Sequence, residues 1–286
     1  MKEMHEEWDG TLPAIVHDMP NEVYHKLAGI SGSGLHTIQQ YSPAHYRYAP
    51  TDDGKDPRPR EIGTALHTAL LEPHRFEREY IITEAEDRRA KAYTQAAEEY
   101  GKPFALTAGE GERVTGMQQA AWRHPQARPL LEAIDRCESS VIASDPQTAV
   151  PVRIRPDAIT AGGAIIDVKK ARDARERPFA SAAVNYGYDL KAAFYCDVWQ
   201  WATGRRPTEY YLLVVEEQPP HAVMVYTLPD DWMQRGRRLY REALDTYAAC
   251  LDAGEWPAYS DEIECLMPPA WVTYEMEQEE TEGVHV

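Results

Sequence analysis

The 286-residue sequence has few cysteines and no long apolar run. Its four cysteines, at positions 137, 196, 250 and 265, include no CxxC pair, and their spacing argues against the closely spaced ligands of an iron–sulfur cluster. We expect reduced structural thiols, which are usual in the cytosol. No apolar segment is long enough to span a membrane, and the N-terminal stretch MKEMHEEWDG is too acidic and polar for a signal peptide. We therefore expect a cytoplasmic protein without a membrane partner.

The sequence also lacks an excess of positive charge. Its 47 acidic and 30 basic residues give a net charge of −17, whereas a DNA-binding protein usually has a basic surface. This balance argues against a nucleic-acid ligand without excluding one, because a carboxylate metal site is itself negative until cations bind. The basic residues also cluster, as Arg58 and Arg60; Arg153 and Arg155; Lys169, Lys170 and Arg172; Arg205 and Arg206; and Arg235, Arg237, Arg238 and Arg241.

The first half of the chain has helical patterns. Thr107 and Glu110 form a capping-box pattern, and Ser31 or Ser33 can cap a shorter helix. The predicted helices cover about 31–41, 61–71, 87–100, 107–122 and 127–135. Residues 1–30 have no such pattern, and we expect them to form an irregular lead-in.

The pattern changes after residue 137. Short segments rich in β-branched residues predict strands at 138–144, 149–155 and 164–169, with the last two paired as a hairpin. The later elements are a helix at 188–203, strands at 210–215 and 222–228, and a helix at 230–253. This order predicts a single α/β domain over residues 31–271, with a mixed β-sheet flanked by helices. We expect the acidic tail, residues 272–286, to be disordered.

Three residues in the predicted hairpin suit phosphodiester chemistry. Asp157 follows one predicted strand, and Asp167 and Lys169 lie two positions apart on the next, so their side chains point to the same face. Mg²⁺ prefers oxygen ligands and is usually held by one or two carboxylates, where it polarises a phosphate and lowers the pKa of bound water. An ammonium group beside it would hold that water or offset charge on the phosphate.

The same three residues are also compatible with a surface ion pair, which is the usual explanation for an isolated Asp-x-Lys pattern. Three observations favour a site instead. The strand around Asp167 is otherwise apolar, Asp157 follows a proline in Arg-Pro-Asp, and an upstream helix carries Gly63 one turn before His67. A small residue there would let a strand or a DNA backbone approach.

Further motifs occur in a fixed order over about residues 20–271. They are SGSGL at 31–35, SPAHY at 42–46, EIGTALHTALLEP at 61–73, RPD at 155–157, IDVK at 166–169, YGYDLKAAFY at 186–195, and the segment from Trp256 to Trp271. In this order the sequence resembles the RecE-like exonuclease family, within the RecB-like group of PD-(D/E)xK nucleases. The resemblance implies a restriction-endonuclease-like core.

The resemblance also implies roles for individual residues. His67 matches a helix histidine that binds the metal, and Asp157 and Asp167 match the carboxylate ligands. The main-chain carbonyl of Val168 is a further expected ligand, since the side chains on either side of it face the ion. Lys169 matches the catalytic lysine of the motif.

Two positions on the next helix are expected to take part in catalysis. Tyr195 matches a tyrosine that contacts phosphate or supports the site. Lys191 departs from the family pattern, because glutamine usually stands there and orients water or substrate. Lysine keeps a donor, loses the acceptor and adds a charge. It could contact a phosphate in an active enzyme, which the other site residues favour, or compete with the metal and weaken catalysis.

Secondary candidates are less specific. Glu72 lies about one turn beyond His67, and Glu138 opens a predicted strand. Either could support the site, although an exposed structural carboxylate is the simpler explanation for each. Four aromatic residues could stack on a frayed DNA end or merely pack beside helix ends, namely Tyr46, Tyr48, Tyr186 and Tyr188.

The activity implied by the resemblance is 5′-to-3′ digestion of double-stranded DNA ends, with Mg²⁺ as cofactor and Mn²⁺ as a substitute. The 3′ tails would serve a RecT-like single-strand annealing protein in phage-type recombination. A homo-oligomeric ring is also implied, and its channel could carry basic groups while the outer surface stays acidic. Two alternatives remain open: a catalytically impaired module that binds DNA ends or protein, and an endonuclease on the same fold.

Overall fold

The computed structural model describes residues 10–50, 56–274 and 278. Its helices are α1 (Asn21–Lys26), α2 (Gly32–Gln40), α3 (Pro43–Arg47), α4 (Arg58–Leu71), α5 (Pro73–Glu79), α6 (Lys91–Tyr100), α7 (Ala108–Arg123), α8 (Ala127–Glu132), α9 (Glu176–Asn185), α10 (Tyr188–Thr203) and α11 (Asp230–Ala253). Its strands are β1 (Ala14–Val16), β2 (Ile30–Ser31), β3 (Ile81–Ile82), β4 (Ala105–Leu106), β5 (Ile134–Cys137), β6 (Ser140–Ser144), β7 (Pro151–Ile154), β8 (Ala158–Thr160), β9 (Ile165–Ala171), β10 (Tyr210–Glu216) and β11 (Val223–Thr227).

The largest sheet is mixed and has five strands in the order β11-β10-β9-β8-β5. Strands β9 and β10 run parallel from the pair Ile165–Tyr210 to the pair Ala171–Glu216, and the other neighbours are antiparallel. A four-stranded sheet has the order β1-β6-β7-β2, and β3 pairs with β4. This arrangement fits a restriction-endonuclease-like core and confirms the predicted α/β class.

Helices cover both faces of the five-stranded sheet. One face, which includes Ile166 and Val168, packs against α4 and α7. The opposite face, which includes Ile165 and Leu212, packs against α10. Because Phe194 of α10 is also buried against α11 and the four-stranded sheet, this helix is apolar on most sides and lies between the two sheets.

The capping signals in the sequence are confirmed. Thr107 and Glu110 form the reciprocal hydrogen bonds of a capping box at the start of α7. Ser31 caps α2 through its side chain. Helices α10 and α11 end at Gly204 and Gly254, whose left-handed backbone favours glycine.

The predicted hairpin between 149–155 and 164–169 is wrong. Strand β7 pairs with β6 in the four-stranded sheet, whereas β9 pairs with β8 and β10. Strand β8 was missed because its three residues are too few to show an alternating pattern. The helix predicted over 127–135 likewise ends at Glu132, since Ile134 begins β5.

The irregular lead-in expected over residues 1–30 is wrong for its described part. There β1 pairs with β6, and α1 buries Tyr24. Residues 272–274 are helical, and the rest of the tail predicted to be disordered lies outside the described residues apart from 278. The domain boundaries predicted at residues 31 and 271 stay a prediction. In the described part of the chain, no helix combines the length and apolar character needed to cross a membrane.

Candidate active site

Strand β9 carries two of the predicted residues to an open stretch of the sheet. Strand β8 pairs only with Ile165 and Ile166, at the start of β9. From Asp167 onwards this side of β9 is therefore not covered by β8. Asp167 and Lys169 alternate with the buried Val168, so their side chains share the face turned away from α4.

Asp157 takes the place of a strand partner beside the uncovered part of β9. It stands immediately before β8, and its Oδ2 accepts a hydrogen bond of 2.7 Å from the Val168 N–H. The carboxylate thus satisfies a main-chain donor that a longer β8 would have paired. It also lies close enough to Asp167 for each carboxyl group to shift the pKa of the other.

His67 reaches the same point from α4. Its Nε2 atom lies 3.0 Å from the carbonyl oxygen of Val168, and its Nδ1 atom lies 3.5 Å from Oδ2 of Asp157. The structure therefore brings together one residue from a helix, one from the segment before β8 and the main chain of β9, as the sequence predicts.

Polar contacts fix helix α4 against its neighbours. The Gln118 side chain of α7 donates a hydrogen bond of 2.6 Å to the Ala69 carbonyl. At the start of α4, Glu61 forms an ion pair with Arg88, and Arg88 Nε also lies 2.9 Å from Oε1 of Glu110. These contacts hold both ends of the helix, so the imidazole of His67 is held against β9.

Asp167 and Lys169 form a partly buried ion pair through Oδ1 and Nζ. Burial by itself raises the pKa of the Asp167 carboxyl, but the adjacent Lys169 ammonium outweighs burial and holds that pKa below its usual value. Burial similarly opposes the charge on Lys169, and the carboxylates of Asp167 and Asp157 raise its pKa overall. Both groups therefore remain ionised at neutral pH.

The other two carboxyl groups of the cluster resist ionisation. Burial raises the pKa of Asp157; His67 counteracts this rise and Asp167 reinforces it. Burial and the nearby Asp157 raise the pKa of Glu138 to about 8. Glu138 lies in the turn between β5 and β6 with φ of 49°, and its N–H donates a hydrogen bond of 3.1 Å to the Asp157 carbonyl. A cation beside these groups would stabilise both as anions.

His67, Glu138 and Asp157 could together hold a divalent cation. One ligand atom from each lies within 4.8 Å of the others. The Val168 carbonyl oxygen, 3.0 Å from His67 Nε2, adds a further donor. One imidazole with several oxygens fits Mg²⁺ or Mn²⁺. Asp167, the other predicted carboxylate ligand, lies next to Asp157 and accepts a hydrogen bond from Lys169.

Helix α10 contributes a second ammonium group to the site. The Nζ atoms of Lys169 and Lys191 lie 4.9 Å and 5.7 Å from the centre of the Tyr188 ring. Burial and the charge of Lys169 lower the pKa of Lys191 to about 8. Across residues 10–50 and 56–274 no carboxylate forms an ion pair with Lys191. Its charge is therefore available to an external anion.

Tyr195 packs behind the site. Its ring belongs to the apolar packing on both sides of α10, and burial raises its pKa well above the usual value. A Cβ atom at Gly32 would lie 3.4 Å from both Lys191 Cγ and Tyr195 Cε2, so α2 begins close against this pair. A contact between Tyr195 and phosphate stays a prediction.

Of the two secondary carboxylates suggested by the sequence, one lies in the site and the other does not. Glu138 belongs to the cluster, whereas Glu72 forms an ion pair of 2.9 Å with Arg75. The simpler explanation as an exposed structural carboxylate is therefore wrong for Glu138. The one sequence feature that pointed to Glu138 was an acidic residue at the start of an apolar strand. Among the described residues, a Cβ atom at Gly63 would have no other atom within 4 Å, so none of the described strands approaches there.

A comparison with solved structures agrees with this fold. A candidate exonuclease from Eubacterium rectale has a similar structure, with a TM-score of 0.58, 12% sequence identity, and coverage of 90% of this chain and 97% of that chain. A phage-related exonuclease from Haemophilus somnus 129PT matches with a TM-score of 0.32 and 13% identity over 82% of this chain and 100% of that chain. At such identities the first match shows a shared fold alone. No curated protein matches the sequence.

A family model covers most of the chain. It is described as a PDDEXK-like domain of unknown function, DUF3799, and it matches residues 31–269. That range contains all the residues of the cluster around β9 and α4. The chain therefore belongs to the DUF3799 family of PDDEXK-like domains, and with it to the PD-(D/E)xK nuclease superfamily.

Proposed function

We propose that this protein is a Mg²⁺-dependent exodeoxyribonuclease that digests double-stranded DNA from its ends in the 5′-to-3′ direction and leaves 3′ single-stranded tails. The observation that carries the proposal is the convergence of His67, Asp157 and Asp167 at the start of β8, with Lys169 beside them. A surface ion pair would not need a histidine from a separate helix, nor carboxylates that are as far covered as Asp157 and Asp167, whose side chains are 15% and 13% exposed.

The chemistry proposed is hydrolysis of a phosphodiester. Water adds to phosphorus, the bond to one bridging oxygen breaks, and that oxygen leaves with a proton. The bound cation would polarise the phosphate and lower the pKa of the attacking water. His67, Glu138, Asp157 and the Val168 carbonyl would hold the ion, and Asp167 would orient the water from beside it.

The lysines would neutralise charge. Lys169 stays protonated because Asp167 and Asp157 raise its pKa, so it can stabilise the negative charge that develops on the phosphate. Lys191 faces the same region without a carboxylate partner in the described residues and can bind a phosphate oxygen. This supports the interpretation of Lys191 as an active replacement for the usual glutamine.

We further propose that the protein acts as a homo-oligomeric ring on DNA ends and passes its 3′ tails to a RecT-like annealing protein. The net charge of −17 makes a free monomer a poor DNA-binding surface. A ring would concentrate the basic groups in its channel. The mass of the native assembly by light scattering tests this part separately.

The test of the proposed activity uses a linear duplex labelled at one 5′ end or one 3′ end, with Mg²⁺ or EDTA. We expect Mg²⁺-dependent release of the 5′ label first, and no loss of a closed circular duplex. Asp167→Asn should abolish release. Asp173→Asn is the matched control, because Asp173 follows β9 closely but its carboxylate bonds to the side chain and main-chain N–H of Arg175, away from the site. Digestion of the closed circle would indicate an endonuclease.

A second candidate function is a DNA-end or protein-binding module without hydrolysis, and Lys191 in place of glutamine motivates it. An additional ammonium could repel the cation that the carboxylates hold. This candidate predicts that the protein retains duplex ends in a binding assay while Mg²⁺ produces no product. Lys191→Gln would then restore hydrolysis.

A further inference from the structure

We propose that Tyr186, backed by Tyr188, forms with the nearby Lys191 a subsite for the unpaired end of a DNA strand. A base would stack on the Tyr186 ring, and a phosphate further along the same strand would pair with the Lys191 ammonium. The proposal rests on the proposed nuclease function, and it adds that the substrate strand enters the site as a separated single strand.

The first observation is the stacking of the two tyrosines. Their ring centroids are 5.8 Å apart, with an angle of 25° between the ring planes. Tyr188 is mostly covered, whereas Tyr186 is 59% exposed. An exposed aromatic ring that already rests on another ring offers a flat surface of the kind on which bases stack in single-strand-binding proteins.

The second observation links this surface to the site. The Tyr188 ring contacts Lys169 Nζ at 4.9 Å and Lys191 Nζ at 5.7 Å. Tyr186 is therefore separated by a single ring from both ammonium groups. The end of a single strand has the matching arrangement, because flat bases and anionic phosphates follow one another along it. Base stacking with phosphate pairing is how proteins bind single strands without regard to sequence.

The third observation is that the turn carrying Tyr186 is fixed. Gly187 has φ of 62°, and a Cβ atom there would lie only 2.2 Å from Cδ2 of His36. The Tyr186 N–H also donates a hydrogen bond of 2.9 Å to the Ala182 carbonyl at the end of α9. Because this junction between α9 and α10 is held on both sides, the ring is preorganised for a ligand.

The other tyrosine candidates from the sequence do not share these features. Tyr46 packs edge-on against Tyr247, with ring centroids 5.5 Å apart, and also lies beside Trp256. Its role is structural. Tyr48 is exposed at the end of α3, on a helix that packs against α2 and α11. Tyr186 is therefore the tyrosine with both exposure and a connection to the catalytic lysines.

The test measures binding and does not depend on hydrolysis. A single-stranded oligonucleotide with 2-aminopurine as its terminal base is titrated with the full chain in EDTA, where stacking lowers the fluorescence. We expect quenching with the wild type and with Tyr186→Phe. Tyr186→Ala should abolish the quenching and weaken binding by about five- to hundredfold. Tyr100→Ala is the matched control, because Tyr100 is 44% exposed at the end of α6.

Salt dependence separates the two halves of the subsite. Loss of one phosphate contact on a single strand reduces the magnitude of the negative slope of log K against log salt by about 0.7. Lys191→Gln should show this decrease at neutral pH, where the ammonium is charged, while Tyr186→Ala should leave the slope unchanged. Lys191→Gln with an unchanged slope would overturn the phosphate contact.

Other outcomes are equally decisive. If Tyr186→Ala quenches the 2-aminopurine probe as fully as the wild type, the proposal is overturned. If the variant keeps the quenching but changes the mass of its assembly, Tyr186 is a contact between protein chains and the proposal is overturned as well. In Mg²⁺, Tyr186→Ala should raise KM for duplex ends more than it lowers kcat. If the wild type quenches the probe but hydrolyses no DNA, the subsite stands and the proposed nuclease function fails.

Discussion

The imidazole Nε2 of His67 lies 3.0 Å from the carbonyl oxygen of Val168, although 101 positions separate the two residues in the sequence. The contact joins helix α4 to the strand that carries Asp167 and Lys169. Val168 also donates its N–H to Asp157. One residue with a buried apolar side chain thus orients two polar groups of the site through its main chain.

The Glu138 carboxyl is expected to be a metal ligand. Glu138→Gln removes an anionic donor from the set formed with His67 and Asp157, and should weaken Mn²⁺ binding about tenfold or more, as measured by calorimetry without DNA. Glu72→Gln is the control, because Glu72 is engaged by Arg75. Equal affinities of the wild type and Glu138→Gln would contradict the assignment.

The charge of Lys191 should make DNA binding depend on pH. Burial and Lys169 lower its pKa to about 8, with Asp167 acting in the opposite direction, so the ammonium is present below pH 8 and is lost above it. We expect affinity for single strands in EDTA to fall between about pH 7 and about pH 9, well below the usual lysine range. Lys191→Gln should bind more weakly at about pH 7 and show a smaller step, because the Glu138 carboxyl, whose pKa is also about 8, still titrates in the same range. A step of the same size in the variant would show that other groups account for all of it.

Gly63 offers a test of stability and of the path of DNA. It lies in the interior of α4, and the space that a Cβ atom would occupy there is open. Gly63→Ala should raise the free energy of unfolding by roughly 0.5–1 kcal/mol, as measured by chemical denaturation, because alanine loses less backbone entropy in a helix. Gly63→Gln should fold equally well but bind duplex ends more weakly. Unchanged affinity would mean that DNA does not pass over this turn.

At Gly236 we expect alanine to lower the stability of the protein. A Cβ atom there would lie 2.1 Å from the carbonyl oxygen of Asp189, where α11 crosses α10. Main-chain atoms cannot rotate away, so Gly236→Ala should destabilise the protein by about 3 kcal/mol, the upper part of the usual range for overpacking. To relieve this overlap α10 would have to move, and that movement should weaken DNA binding through Lys191. Gly109→Ala, in open space on α7, is the control and should not destabilise.

Local signals were sufficient for much of the fold. The capping box of Thr107 and Glu110 and the terminal Gly204 and Gly254 gave helix boundaries, because these interactions involve neighbouring residues. The shared face of Asp167 and Lys169 followed from strand alternation alone. The sequence could therefore indicate the site strand without knowledge of its partners.

Strand pairing could not be predicted in the same way. Strand β8 is too short to have an alternating pattern. It is this strand, through only two residue pairs, that neighbours β9, and not the strand predicted over 149–155. Glu138 joins the cluster because its N–H bonds to the Asp157 carbonyl in a turn of positive φ. Such a contact depends on the sheet as a whole, and no residue beside Glu138 in the sequence announces it.

The long parallel register between β9 and β10 has a consequence for the order in which the protein opens. These two strands form the buried middle of the five-stranded sheet, where Ile166, Val168 and Leu213 are almost completely shielded from solvent. Their amide protons should be among the slowest to exchange with deuterated water, because exchange there requires global unfolding. On heating, the scaffold of the site should therefore persist until the whole domain melts.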